Sequence, residues 1–283
     1  MIQTTRQIKS RIKGAENIRK ITRAMDTVSA AKLNRVKKTL HASRPYISGI
    51  ETMLKGLISD TGSLGHPLLE NRPAVGIAIC VIASDTGLCG AYNNNLVRFA
   101  ERFLGSFDKD SVTVVPIGKE ASSHFGRLGF TIRAARTGTY GRYSPELADA
   151  IAKDLTDIYM NSGARAVYVA YTRFGSALRN APAVDKFLNI ELEPERPNGY
   201  ILEPDAVTML GRMIPQYLSA RMRAIMLDAY TSEHTSRMLA MKTATDNADD
   251  MIGTLTLAMN KARQFAITKE VLKIAMSAEA VKG

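Results

Sequence analysis

The chain has 283 residues and a formal net charge of +11, with 45% hydrophobic and 23% charged residues; these near-globular values exclude a wholly disordered, collagen-like or low-complexity polypeptide. The length is enough for about two domains. No uncharged run approaches the roughly 18 to 20 apolar residues of a membrane-spanning helix. The cysteines are only Cys80 and Cys89, with no secretory signal ahead of them, so they read as reduced thiols. His41, His66, His124 and His234 match no zinc-ligand spacing, and no metal or cofactor is expected.

The N-terminal segment concentrates the charge. Residues 1–44 hold twelve Lys or Arg against Glu16 and Asp26, a local balance of +10, while the rest of the chain is close to neutral. Such a field attracts an acidic partner, whether nucleic acid, an anionic membrane or an acidic protein surface. The opening MIQTTRQIKSRIK also has the character of a mitochondrial transit peptide; against that, the same pattern continues for three more helical turns. Ile18, Ile21, Met25 and Val28, preceded by Ile8 and Ile12, form a seam-like stripe.

The middle alternates strand and helix signals. Val75–Ala83 is a continuous apolar run rich in β-branched residues, as expected of a strand covered on both faces. Val112–Ile117, Phe130–Ala134 and Ala166–Tyr171 are similar, with helical stretches at Asn94–Leu104, Lys119–Arg127 and Pro145–Tyr159 between them. The alternation predicts an open α/β sheet with parallel crossovers, and Gly199–Asp205 reads as the return connection.

No proline follows Pro215 or precedes Pro45, so both ends can be long helices. Met241, Thr245, Ala248, Ile252, Leu255, Met259, Ala262 and Ala266 step by four and three, and Ile267, Val271, Ile274 and Ala278 continue after a one-residue slip. Thr, Ala and Met replace the usual Leu and Ile, which makes a weakly zipped seam. A helix from Gln216 to the end would be about 100 Å long at ~1.5 Å per residue, more than a compact domain can cover. The fold class is therefore α/β: a long antiparallel coiled coil of the terminal helices plus a Rossmann-like open α/β domain, divided as 1–60, 61–207 and 208–283.

Ser84–Asn93 (SDTGLCGAYN) lies between strand and helix, where a Rossmann-type fold binds phosphate. Its glycines give GxxG rather than GxGxxG, and no GxxxxGK[ST] loop or GxSxG elbow occurs. Cys89 has no nearby histidine to activate it. Catalytic residues are expected to be absent. A basic coiled-coil nucleic-acid-binding protein is the alternative, weakened because no aromatic residue occurs in the first 45 positions; a Rossmann-type enzyme is a third possibility. Arg263 and Gln264 carry a guanidinium fork and an amide suited to a partner's carboxylate loop.

Ile8-Lys9-Ser10-Arg11-Ile12, Ile21-Thr22-Arg23-Ala24-Met25, Val28–Leu33 and the Ser84–Asn93 loop resemble the gamma subunit of F-type ATP synthase. Ser232-Glu233, Arg237-Met238, Ala240-Met241, Ala244-Thr245, Asn247-Ala248, Asn260, Arg263-Gln264 and Ile267–Glu270 complete the likeness. Lys273 stands where the family usually has an acid, and Ser277-Ala278 where it has glycine before alanine. The resemblance implies a rotor subunit without an active site, present once per complex. Its implied partners are the alpha and beta subunits of the hexamer, the epsilon subunit and the membrane c-ring. It also implies that Arg263 and Gln264 bond a beta-subunit loop, and that Lys20, Arg23 and Met25 line the face meeting the beta subunits' acidic levers. Epsilon and the c-ring would dock on the α/β domain and near Pro45–Ile58 and Met209–Ile225. The implied location is peripheral, on the cytoplasmic face of a bacterial inner membrane, with the matrix side of a mitochondrial inner membrane as the alternative.

Overall fold

A computed structural model describes residues 5–61, 66–73, 76–176, 179–192 and 203–280. The elements in order are α1 (Thr5–Thr61), β1 (Gly76–Ile82), α2 (Tyr92–Leu104), β2 (Val112–Ile117), α3 (Lys119–Arg127), β3 (Thr131–Ile132), α4 (Pro145–Asn161), β4 (Ala164–Ser176), β5 (Arg179–Leu188) and α5 (Ala206–Ala280). Contacts group them into two compact units, one of Met1–Val28 with Met238–Gly283 and one of Ser29–Arg237.

The larger unit is a three-layer α/β fold. Its sheet has the order β3-β2-β1-β4-β5, parallel except for β5, which runs antiparallel to β4. The apolar run read as a doubly covered strand is β1. Ile77, Ile79 and Val81 face a core made with Leu96, Ala100, Val114 and Phe125 of the α2 and α3 side. Ala78, Cys80 and Ile82 face the other core, shared with α4, with Leu40, Leu54 and Leu57 of α1, and with Ile214, Met222 and Met226 of α5. Period-2 alternation thus divides one strand between two cores, each filled by helices.

Strand β5 was not read from the sequence. RNAPAVDKFL contains a proline and four charged or amide side chains, a composition tolerated on an edge strand, where one side of the backbone has no ladder to complete. Gly199–Leu202 of the expected return lie outside the described residues, and Glu203–Asp205 lead directly into α5. Both long helices also run through a proline, α1 through Pro45 and α5 through Pro215; the rings are exposed, so the carbonyls they displace can meet water.

Helix α4 begins with a conventional cap. Ser144 is extended, its Oγ accepts from Leu147 N at 3.4 Å, and Pro145 occupies the first turn. Ser144→Ala should lower the unfolding free energy by about 1 kcal/mol, measured as a shift in the urea midpoint at unchanged slope.

In the smaller unit the two helices are antiparallel. Thr22 Oγ1 and Thr245 Oγ1 are hydrogen-bonded at 2.7 Å, and Arg19 Nη1 donates to Asp249 Oδ1 at 2.9 Å. Ile8, Ala15 and Thr22 are buried on one helix, and Met241, Ala248 and Leu255 on the other, each set a heptad apart. The expected α5 seam is correct as far as Ala262, but Ala266 and the phase-shifted Ile267, Val271 and Ile274 are exposed. The α1 stripe needs a larger correction: Ile18 is 54% and Ile21 60% exposed, and Val28 is exposed too. The seam instead uses the smaller Ala15 and Thr22, because close approach of two helices selects for small side chains, not for the most apolar stripe.

Candidate functional site: loop junction and helix surfaces

Strand order reverses between β1 and β4, and the loop after β1 lies at this switch point, the usual ligand crevice of an open α/β sheet. Here the loop is tied inward. Asp85 is buried and accepts four hydrogen bonds: Lys119 N (3.0 Å) and Gly138 N (2.9 Å) on Oδ1, Thr139 Oγ1 (2.9 Å) and Tyr140 N (2.7 Å) on Oδ2. Burial works to raise its pKa, but the donors from Gly138, Tyr140, Thr139 and Lys119 outweigh that, and the carboxyl titrates below its ordinary range. Asn93 Oδ1 receives Ser84 N at 3.1 Å and closes the loop from the helix side.

Helix α5 supplies the other wall. Arg237 Nη2 donates to Thr86 O (3.0 Å) and Thr86 Oγ1 (3.1 Å), and Nη1 to Glu233 Oε1 (2.6 Å). His234 Nε2 meets Gly141 O at 2.8 Å and Tyr92 OH donates to Ala229 O at 3.2 Å. Burial holds the His234 imidazole below its usual range, against the pull of Glu233 and the Gly141 carbonyl, with Lys32 and Arg237 adding to the depression. The polarity of this junction decides its chemistry. A phosphate-binding loop must present N–H groups, whereas this one turns the carbonyls of Thr86 and Gly87 toward a guanidinium. Burial also raises the Cys89 thiol pKa, with Arg237 and Ser84 opposing, which disfavours the thiolate a nucleophile needs. Among the described residues no group of three or more His, Cys, Asp or Glu side chains is arranged to hold a metal ion.

The residues singled out for partner contact lie elsewhere. Lys20, Arg23, Arg263 and Gln264 are exposed and Met25 is half-buried, all in the smaller unit. They do not form one site. In the register fixed by Thr22 and Thr245, positions 20–25 stand level with about 242–247, whereas 263–264 lie past the level of Thr5, where α1 begins. Sequence reasoning missed the Asp85 and Arg237 junction; the signal was an unbroken polar run, Thr231–Arg237, inside a helix that is otherwise apolar at this level.

A family model described as ATP synthase matches residues 4–281. The chain is 36% identical to the ATP synthase gamma chain of Anaeromyxobacter sp., over 98% of this chain and 99% of that one. It is likewise 36% identical to that of Brevibacillus brevis, over 99% of each. A chain of the Euglena gracilis mitochondrial ATP synthase superposes with a TM-score of 0.72 at 17% identity, covering 98% of this chain and 94% of that one, a likeness of fold. Nearly full-length identity above a third, on a matching α/β and two-helix architecture, places the chain in the ATP synthase gamma-chain family.

Proposed function

We propose that the chain is the central-stalk rotor subunit of an F-type, proton-translocating ATP synthase. It carries c-ring rotation to the alpha-beta hexamer, where nucleotide is bound and ATP made or hydrolysed, and has no catalytic site of its own. Family membership supports this reading, as does the likeness of fold to the central stalk with c-ring of the Tetrahymena thermophila enzyme and to the rotor of the Euglena gracilis one. The observation that carries it is the outer surface of the two-helix unit. Ile18, Ile21, Val28, Leu257, Phe265 and Ile267 are all exposed there, an apolar display that an isolated soluble helix pair has no reason to keep. Enclosure by other subunits gives it one.

Lys20, Arg23 and Met25 would face acidic beta-subunit elements, and Arg263 with Gln264 a beta-subunit loop. One copy would assemble per complex, with epsilon and the c-ring on the α/β domain and the adjoining parts of α1 and α5. No helix of the described residues is long and apolar enough to cross a membrane, and attachment through the c-ring would make the chain peripheral, on the cytoplasmic face of a bacterial inner membrane.

Arg263→Ala with Gln264→Ala in the complex reconstituted with alpha, beta, epsilon and the membrane sector should reduce ATP-driven proton pumping about tenfold, the effect of losing roughly 1.4 kcal/mol, with assembly retained. Unchanged pumping would count against that contact. Failure of the wild-type chain to co-purify with the hexamer, read by native mass, would count against the whole assignment.

A further inference from the structure

From Tyr230 to Thr235, and again at Arg237, α5 is buried around its whole circumference, although most of the residues are polar: Thr231, Ser232, Glu233, His234, Thr235 and Arg237. An apolar collar would be the less costly way to bury a helix. What the polar one adds is direction. Packed methyl groups resist separation of a helix from its surroundings, but a small turn of the helix about its own axis exchanges one set of apolar contacts for another. A guanidinium fork on fixed carbonyls has one angular setting.

The settings here are several and mutually braced. Arg237 reaches Thr86 O and Oγ1 from α5, while its other Nη is held on Glu233. His234 reaches Gly141 O, and Gly141 leaves it the room: a Cβ there would lie 2.7 Å from His234 Cε1. Lys32 of α1 donates to Tyr140 O at 3.1 Å. Asp85 binds the Thr86 loop and the Tyr140 loop into one body. Arg237 and Lys32 stand at or near the last residues of their helices that belong to the α/β unit.

We propose that Arg237, seated on Glu233 and the Thr86 carbonyl, is a positioning residue that locks the rotational setting of α5 against the α/β domain, removing a freedom to slip that a torque-bearing shaft must not have. This rests on the rotor reading.

The test uses Arg237→Lys, which keeps a cation beside Glu233 but not the fork, Arg237→Met, which removes the charge at similar length, and Thr86→Val, which removes one acceptor at constant shape. In the assembled enzyme in inverted membrane vesicles, ATP hydrolysis without a gradient should stay within about twofold of wild type. Protons pumped per ATP should fall at least threefold for Arg237→Lys and less for Thr86→Val. In the free full-length chain, amide exchange at residues 84–90 should quicken at least tenfold in Arg237→Lys. Wild-type pumping per ATP in both Arg237→Lys and Thr86→Val, or unchanged exchange in the loop, overturns the proposal, and this decides the matter even if Arg237→Met does not fold. A wild-type chain that assembles but never supports pumping overturns the rotor reading itself, and the proposal with it.

Discussion

Gly118→Ala should be among the most damaging single substitutions in the chain, lowering the stability of the α/β unit by about 4 kcal/mol and its melting temperature by about 10 °C. Gly118 joins β2 to α3 at φ +92°, and a Cβ there would lie 2.2 Å from Ala83 O and 2.9 Å from Ser84 O. Both obstructing atoms are backbone at the end of β1, in the middle of the sheet, so neither can move without opening the β1 and β2 ladder. Gly211→Ala is the matched control. That glycine is helical, exposed, and has nothing within 4 Å of a built Cβ, so the same added methyl should stabilise by about 0.5 to 1 kcal/mol. Thermal melts followed by circular dichroism check both signs; a Gly118→Ala chain within 1 kcal/mol of wild type would contradict the geometry.

Replacing Asp85 with alanine should remove about 2 kcal/mol, since it strands part-buried donors that now share one buried, charged acceptor. Asp85→Asn should recover only part of this. The amide oxygen can keep Lys119 N and Gly138 N, but its NH2 then faces Tyr140 N, a donor against a donor. The pH dependence follows from the lowered pKa of the folded carboxyl. A group with a depressed folded value contributes its full stability above the unfolded pKa and loses it as pH falls through the folded one. The stability gap between wild type and Asp85→Asn should therefore be flat from neutral pH to about 5 and close below about 4. Urea unfolding across that range measures it, and a gap that widens on acidification would refute the assigned role of the carboxylate.

The β2 and α3 boundaries were legible to the residue, because apolar runs and helical spacing there are closed by Gly118 and Leu128 rather than by distant contacts. Strand β5 was not, because an edge strand carries half the burial and little of the pattern. The phase of the α1 seam was also misread. Ile18 and Ile21 are the more apolar stripe, yet Ala15 and Thr22 are the ones that meet α5; an apolar stripe left exposed and a stripe that meets the partner helix look alike in one dimension.

What the sequence determined by itself is what local periodicity and charge density encode: two long helices, an alternating α/β middle, a basic N-terminal segment and the motifs that give the family. Only the tertiary structure decided that the loop after β1 turns carbonyls rather than N–H groups toward α5, and that Arg237 meets Thr86, His234 meets Gly141, and Asp85 meets Gly138 and Tyr140. The partners are separated by tens to more than a hundred residues along the chain, and the direction in which a peptide group points is set by backbone dihedrals that composition and spacing do not record.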